Sequence, residues 1–183
     1  TLQAGVDTVI ANAIDLNTAD GTIDANGHAI SLAGLISGTH GLSITGSSGD
    51  VVTFANAGNS FSGGIDVTGS GVTISESANG NFGSGLVTLD GTGIKFTGAD
   101  TYANAVNVSG YSTFDLGGNA VTYTGLIADG AGPGAVMVSG GGTLTLKNTA
   151  NSYTVGTFIA GGSTVSIDSD GELGGTAGGL TLG

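Results

Sequence analysis

The sequence predicts an all-β chain, a parallel β-helix of about eight coils with roughly 20 residues in each, and three observations carry that prediction. Residues that populate exposed helix surfaces are nearly absent, with two Lys, two Glu and no Arg among 183 residues against 38 Gly. Apolar residues come in very short alternating runs, the period of a half-buried strand, separated by Gly, Asn, Ser and Asp. Those runs return at a short fixed spacing, the mark of a solenoid in which each coil buries its apolar face on its neighbours. The chain is 39% hydrophobic, which is enough to build a core and too much for a disordered Gly/Ser linker.

In chain order, Ala11-Asn12-Ala13-Ile14-Asp15-Leu16 opens the pattern, and Asp24, Ala29-Ile30, Leu32 and Gly34-Leu35-Ile36 continue it. Val52-Thr53-Phe54, Ile65-Asp66-Val67 and Val72-Thr73-Ile74 are brief strands in which apolar residues flank a polar one, with Phe61 between the first two. Val87-Thr88-Leu89 follows. The same order then recurs. Ala103-Asn104-Ala105-Val106-Asn107-Val108 matches the opening stretch 92 residues on, with Tyr102 in the place of Ile10. Asp115, Ala120-Val121, Tyr123 and Gly125-Leu126-Ile127 match the next stretch 91 residues on. Leu144-Thr145-Leu146, Phe158-Ile159 and Val165-Ser166-Ile167 repeat the three strands, Tyr153 stands where Phe61 stands, and Leu180-Thr181-Leu182 answers Val87-Thr88-Leu89. The chain therefore divides into two tandem units, 1–91 and 92–183. A finer beat runs inside them: Phe54, Phe61, Ile65 and Val67 recur as Phe96, Tyr102, Val106 and Val108.

This pattern assigns places to side chains. Aliphatic residues, with Leu144, Leu146, Val165 and Ile167 among them, are predicted to point inward and the Thr and Ser between them outward. Gly, Asn and Asp take the corners, where positive φ is tolerated. One coil alone would order about 20 residues for the burial of a handful of aliphatic side chains, so stability must come from stacking. At about 4.8 Å per step, eight coils make a rod of roughly 40 Å.

Charge and composition exclude several functions. A net charge of -12 argues against nucleic acid or an anionic membrane surface as partner, since both need clustered Lys and Arg. The absence of Cys removes disulfides, thiol nucleophiles and thiolate metal sites, and is compatible with export. No signal peptide is visible and no apolar stretch approaches the roughly 20 residues of a membrane span, so no membrane insertion is expected and the chain reads as a mature soluble protein or a fragment of a larger one.

Candidate chemistry is sparse. Proton abstraction on a polysaccharide commonly needs Arg or Lys beside carboxylates, and Lys95 and Lys147 are the whole basic supply. His28 and His40 could act as bases, but both lie in Gly-rich turns and Asn119 replaces His28 in the second unit, so they read as solvated turn residues. Asp168, Asp170 and Glu172 are the calcium candidates, three carboxylates within five residues, and Asp15, Asn17, Asp20 and Asp24 are similarly dense. Neither group has EF-hand or calcium β-roll spacing, and Asp168 and Asp170 correspond to Ser75 and Ser77, so the expectation is no metal, no cofactor and corner charges. Tyr102, Tyr153, Phe61 and Phe96 would suit sugar stacking, yet their recurrence beside aliphatics predicts core or corner aromatics. Thr-x-Thr pairs such as Thr122–Thr124 and Thr143–Thr145 are absent from most coils, which speaks against an ice-binding face. Asn12 with Asn104, and Asn59 with Asn151, recur in register and predict side-chain amide ladders.

Gly-Gly-Thr-Leu-Thr-Leu (141–146), Ala-Asn-Ser-Tyr (150–153), Ser-Thr-Val-Ser-Ile (163–167) and Glu-Leu-Gly (172–174) together resemble the autotransporter-associated β-strand repeat of bacterial passenger domains. The run from Gly21 to Gly38 resembles the segment that leads into such repeats, so the likeness covers nearly the whole chain. The resemblance implies a right-handed parallel β-helix, exported and displayed outside the cell, whose repeats serve as stalk and folding unit, and it implies no chemistry.

The expected function is a non-enzymatic extracellular structural role at the bacterial surface: a stalk, adhesin shaft or filament. The expected partners are further copies of the chain stacked head-to-tail on ends that look uncapped, and a host or matrix surface or polysaccharide. The alternative is a carbohydrate-binding or carbohydrate-active β-helix.

Overall fold

A computed structural model describes residues 1–183. Every paired strand is parallel to its neighbour, and the chain winds about eight times with a spacing of about 22 residues per coil. Three faces result. The first carries Leu2–Gln3, Gly21–Asp24, Leu42–Thr45, Ile65–Val67 and Val87–Asp90, then the opening halves of Val106–Asp115 and Ile127–Ser139. The second carries Thr8–Ile10, Ile30–Leu32, Val51–Phe54, Thr73–Glu76 and Gly93–Phe96, then the closing halves of those two long strands, Gly156–Ile159 and Gly179–Leu182. The third begins with Ile14–Leu16 and Ile36–Gly38 and ends with Thr101–Tyr102, Ala120–Tyr123, Thr143–Leu146 and Thr164–Ser166. Between them it is held by single backbone bonds, Ser60 and Ser62 donating to Ile36 and Gly38 and Ser84 to Phe61.

The strands are as short as their alternating runs, with two exceptions. Val106–Asp115 and Ile127–Ser139 cross a corner without interruption, which joins the first two faces into one 14-stranded sheet. A register shift between Val108 and Gly110 makes the bend, and Gly110 takes it up at φ 60°.

Side chains alternate as predicted. Ile23, Ile44, Val67, Leu89 and Val108 form one buried column on the first face, and 34 buried residues make a continuous core from end to end. Tyr102, Tyr153, Phe61 and Phe96 are fully buried. Leu144 and Leu146 are buried and Val165 packs partly against the core, but Ile167 is 37% exposed. Its strand pairs on one side alone, so no coil lies over that end of the column. The helical content is a single 3-10 turn, Asp170–Leu173, and no helix is long and apolar enough to cross a membrane.

Candidate functional site

The corners decide where the polar side chains go. Asn59 lies between two coils: the Ile36 N–H donates to its Oδ1 at 2.8 Å and its Nδ2 donates to the Asn81 carbonyl at 2.7 Å. Asn151 repeats this, accepting from Ile127 N–H at 2.8 Å and donating to the Glu172 carbonyl at 2.8 Å. The amides therefore do not ladder on one another. Each ties its own corner to the backbone of the coils on either side, because coil spacing leaves unpaired N–H and C=O groups at the bend that a buried amide can satisfy. Asn104 does part of this job, its Nδ2 donating to the Gly83 and Gly85 carbonyls, while Asn12 is exposed and makes no such tie.

Carboxylates are spent in the same way. Asp50 accepts from Gly27 and Ser47, Asp20 from Gly41, Asp100 from Asn79 and Thr101, and Asp129 from Gly134 and Thr154. Backbone donors hold Asp100 below the usual carboxylate range, and hydrogen bonds from Thr154 and Gly134 outweigh burial to lower Asp129.

The three calcium candidates are directed apart. Asp168 is paired with Lys147, Asp170 is exposed, and buried Glu172 accepts from the Asp168 and Ser169 N–H groups of its own turn. Of the second acidic group, Asp24 takes Gln3 and the Asn26 N–H, and Asp15 takes the Asn17 N–H. No group of three or more His, Cys, Asp or Glu side chains is placed to hold a metal ion. Lys95 is paired with Asp115 at 3.5 Å. His28 lies 3.4 Å from Asp7 and His40 lies 3.1 Å from the Leu16 carbonyl oxygen, at different corners.

One buried group escaped the sequence analysis. Glu76 is 2% exposed, occupies an inward position between Phe54 and Phe96 in the second-face column, and its Oε2 has no hydrogen-bond partner. Burial, and secondarily the charge of Asp100, push its carboxyl well above the ordinary range. Beside it lies an aromatic cluster: Phe96 meets Tyr102 at 4.8 Å and Phe114 at 5.7 Å, and Phe114 meets Tyr123 at 5.5 Å. The phenols are satisfied by carbonyls, Tyr102 donating to Gly98 and Tyr123 to Asn104. Burial raises both above the usual phenol range, and raises Tyr153, whose hydroxyl meets Thr157 Oγ1 at 2.6 Å, to about 12.

The outer surface carries a second aromatic feature that the register did not reveal. Tyr111, 57% exposed, meets Phe158 edge-on at 5.4 Å, with Met137 beside Phe158 in the adjoining strand. The first-unit residue in the place of Phe158 is Asp66.

The polar side chains of this long parallel stack serve its own backbone. The chain is 30% identical over 172 residues to the adhesin BmaC autotransporter of Brucella suis biovar 1 (strain 1330). The chain fits an autotransporter passenger β-helix. The match takes in 89% of this passenger segment and 4% of the Brucella protein, so the segment spans a small part of that relative's length. No family model matches the passenger segment, and no solved structure matches it. Its corner amides and carboxylates are the residues that hold passenger coil on passenger coil.

Proposed function

We propose that this segment is a non-enzymatic shaft of a bacterial surface adhesin, extracellular in use, whose work is to build length. The observation that carries this reading is the continuous core of 34 buried residues under stacked parallel strands, with Asn, Asp and Lys side chains engaged in joining coils. The adhesin relative supports a surface or extracellular location. Copies joined head-to-tail would extend the shaft, and a host or matrix surface or polysaccharide would be what it reaches. The test is a polysaccharide-degradation screen together with electron microscopy of the purified chain: a rod of about 40 Å with no turnover is expected, and turnover of any polysaccharide would overturn the reading.

A second reading, a carbohydrate-binding β-helix, is favoured by the outward Tyr111–Phe158 pair, since exposed aromatic faces suit sugar rings. A glycan array separates the two: glycan binding that Tyr111→Ala abolishes would favour the second, and silence the first.

A further inference from the structure

The sequence holds two Asn-Gly pairs, Asn26-Gly27 and Asn79-Gly80, each at a corner of the rod. An asparagine followed by glycine is able to modify itself. The backbone nitrogen of the next residue attacks the carbon of the side-chain amide, and glycine, without a Cβ, neither blocks the approach nor restricts the backbone that the approach requires. Whether the reaction runs depends on whether that nitrogen and that amide are free, and the fold treats the two pairs differently.

At the first corner both reacting groups are held. The Gly27 N–H donates to Asp50 Oδ2 at 3.0 Å, and a carboxylate at that place opposes the loss of the amide proton that the attack needs. Asn26 Nδ2 donates to the Ala4 carbonyl at 2.9 Å, and Asn26 itself sits at φ 51°. At the second corner both are open. Gly80 is exposed and its N–H takes part in no hydrogen bond of the chain, nor does Asn79 Nδ2. Asn79 Oδ1 accepts from the Ala103 N–H at 3.3 Å, which draws electron density from the carbon under attack. This corner also requires its glycine: Gly80 lies at φ 100°, and a Cβ there would stand 2.7 Å from the Ala57 carbonyl oxygen.

We propose that Asn79 is a site of self-modification, converted by attack of the Gly80 nitrogen on its side-chain carbon. The N–Cγ bond forms as the Cγ–Nδ2 bond breaks, the proton of the Gly80 nitrogen leaves with the Asn79 amide nitrogen as ammonia, and a five-membered succinimide remains. Water is the only other reactant. Opening of the ring at Cγ leaves aspartate; opening at the main-chain carbonyl leaves isoaspartate, in which the chain runs through the side chain and is longer by one methylene. Either product sets a carboxylate beside Asp100, whose Oδ2 accepts from the Asn79 N–H at 3.0 Å. Repulsion between the two, and in isoaspartate the displaced backbone, loosen the tie between this corner and the next coil at Asp100 and Ala103. The site stands apart from the shaft reading and holds whatever the rod is used for.

The test is peptide mapping by mass spectrometry of the 183-residue chain held in mildly alkaline buffer, where the amide nitrogen gives up its proton more readily, with a second sample held in denaturant. In the folded chain the peptide carrying Asn79 is expected to gain about one dalton at least tenfold faster than the peptide carrying Asn26, and in denaturant, where both pairs are open, the two rates should agree within about threefold. Asp50→Ala frees the Gly27 N–H and should bring Asn26 toward the rate of Asn79, with circular dichroism to show that the variant keeps its β structure. Equal rates in the folded wild-type chain, a faster Asn26, or an Asn79 that persists after the denatured sample has converted would overturn the proposal. A folded Asp50→Ala chain whose Asn26 stays slow would overturn the role given to the Asp50 clamp, and the wild-type comparison decides by itself should that variant not fold.

Discussion

The corner at residues 77–81 and the corner at 168–172 hold the backbone in the same way with different side chains. In the first, Asn81 Oδ1 accepts from the Ser77 and Ala78 N–H groups. In the second, Glu172 Oε2 accepts from Asp168 and Ser169, each 91 residues on from its counterpart; Val52 stacks under Ile74 as Leu144 stacks under Val165, so Asp168 answers Ser77 and not the Ser75 that the sequence pattern predicts. Asn59 and Asn151 repeat with the same side chain, and Gly34 and Gly125 repeat with the same absence of one, since a Cβ at either would lie 2.0 Å from the carbonyl oxygen of Asn12 or Asn104. On the outer face the two regions part, Asp66 in one answering Phe158 in the other. Positions that touch backbone or core are held to one job, and positions that touch water are free to differ.

The largest expected effect tests the inner against the outer position within one strand. Leu146→Asp puts an unpaired charge in a fully buried column and should cost about 4 kcal/mol or more, whereas Thr145→Asp should change stability by about 0.5 kcal/mol or less. Denaturant midpoints of the two variants check this, and similar losses would deny that the strand has an inside and an outside.

Next come the paired corners. Asn59→Ala and Asn151→Ala each strand a buried N–H, of Ile36 and of Ile127, and each should cost about 1–3 kcal/mol, while Asn12→Ala should be silent. Thermal melts of the three variants decide it. Unequal losses at Asn59 and Asn151 would show that the two regions, alike in geometry, differ in how their corners relax.

The buried carboxyl of Glu76, with Oε2 unpartnered, has a pH signature of its own. Glu76 is raised above its ordinary 4.5 in the folded chain, so between that value and its folded one the native state holds a proton the unfolded state has released. Its contribution is complete below pH 4.5 and is lost as pH rises through the folded value. Glu76→Gln should flatten that part of the stability profile, measured by melts at successive pH, and an unchanged slope would place the proton elsewhere.

The smallest effect belongs to the outer face. Phe158→Asp installs the residue of the first region and removes one edge-on aromatic contact, for an expected loss of about 0.5–1.5 kcal/mol. A greater loss in the melt would mean that Tyr111 and Phe158 brace the sheet as well as decorate it.

Much of the site could be read from local pattern and some could not. Phe61, Phe96, Tyr102 and Tyr153 were placed inside by their alternation with aliphatics, and the acidic residues at corners by their turn neighbours. The recurrence of Asn59 and Asn151 predicts amide ladders that the structure does not form, because residues 92 apart match without touching; what each amide touches is backbone one coil away. Ile167 has the inward phase of a core residue, but exposure there depends on whether a coil lies above it.

By itself, the sequence determined that the chain is a β-solenoid, the inward phase of most aliphatic residues and where the corners fall. These follow from period-two alternation, glycine-tolerant turns and coils too small to bury themselves, all local in origin. The tertiary structure decided which face each strand occupies, since coil length is set by how the corners fit. It also decided that Glu76 lies between Phe54 and Phe96, because Ile74-Ser75-Glu76 reads like an inner-outer-inner triplet with a polar end, and only the stacked coils on both sides remove that end from water.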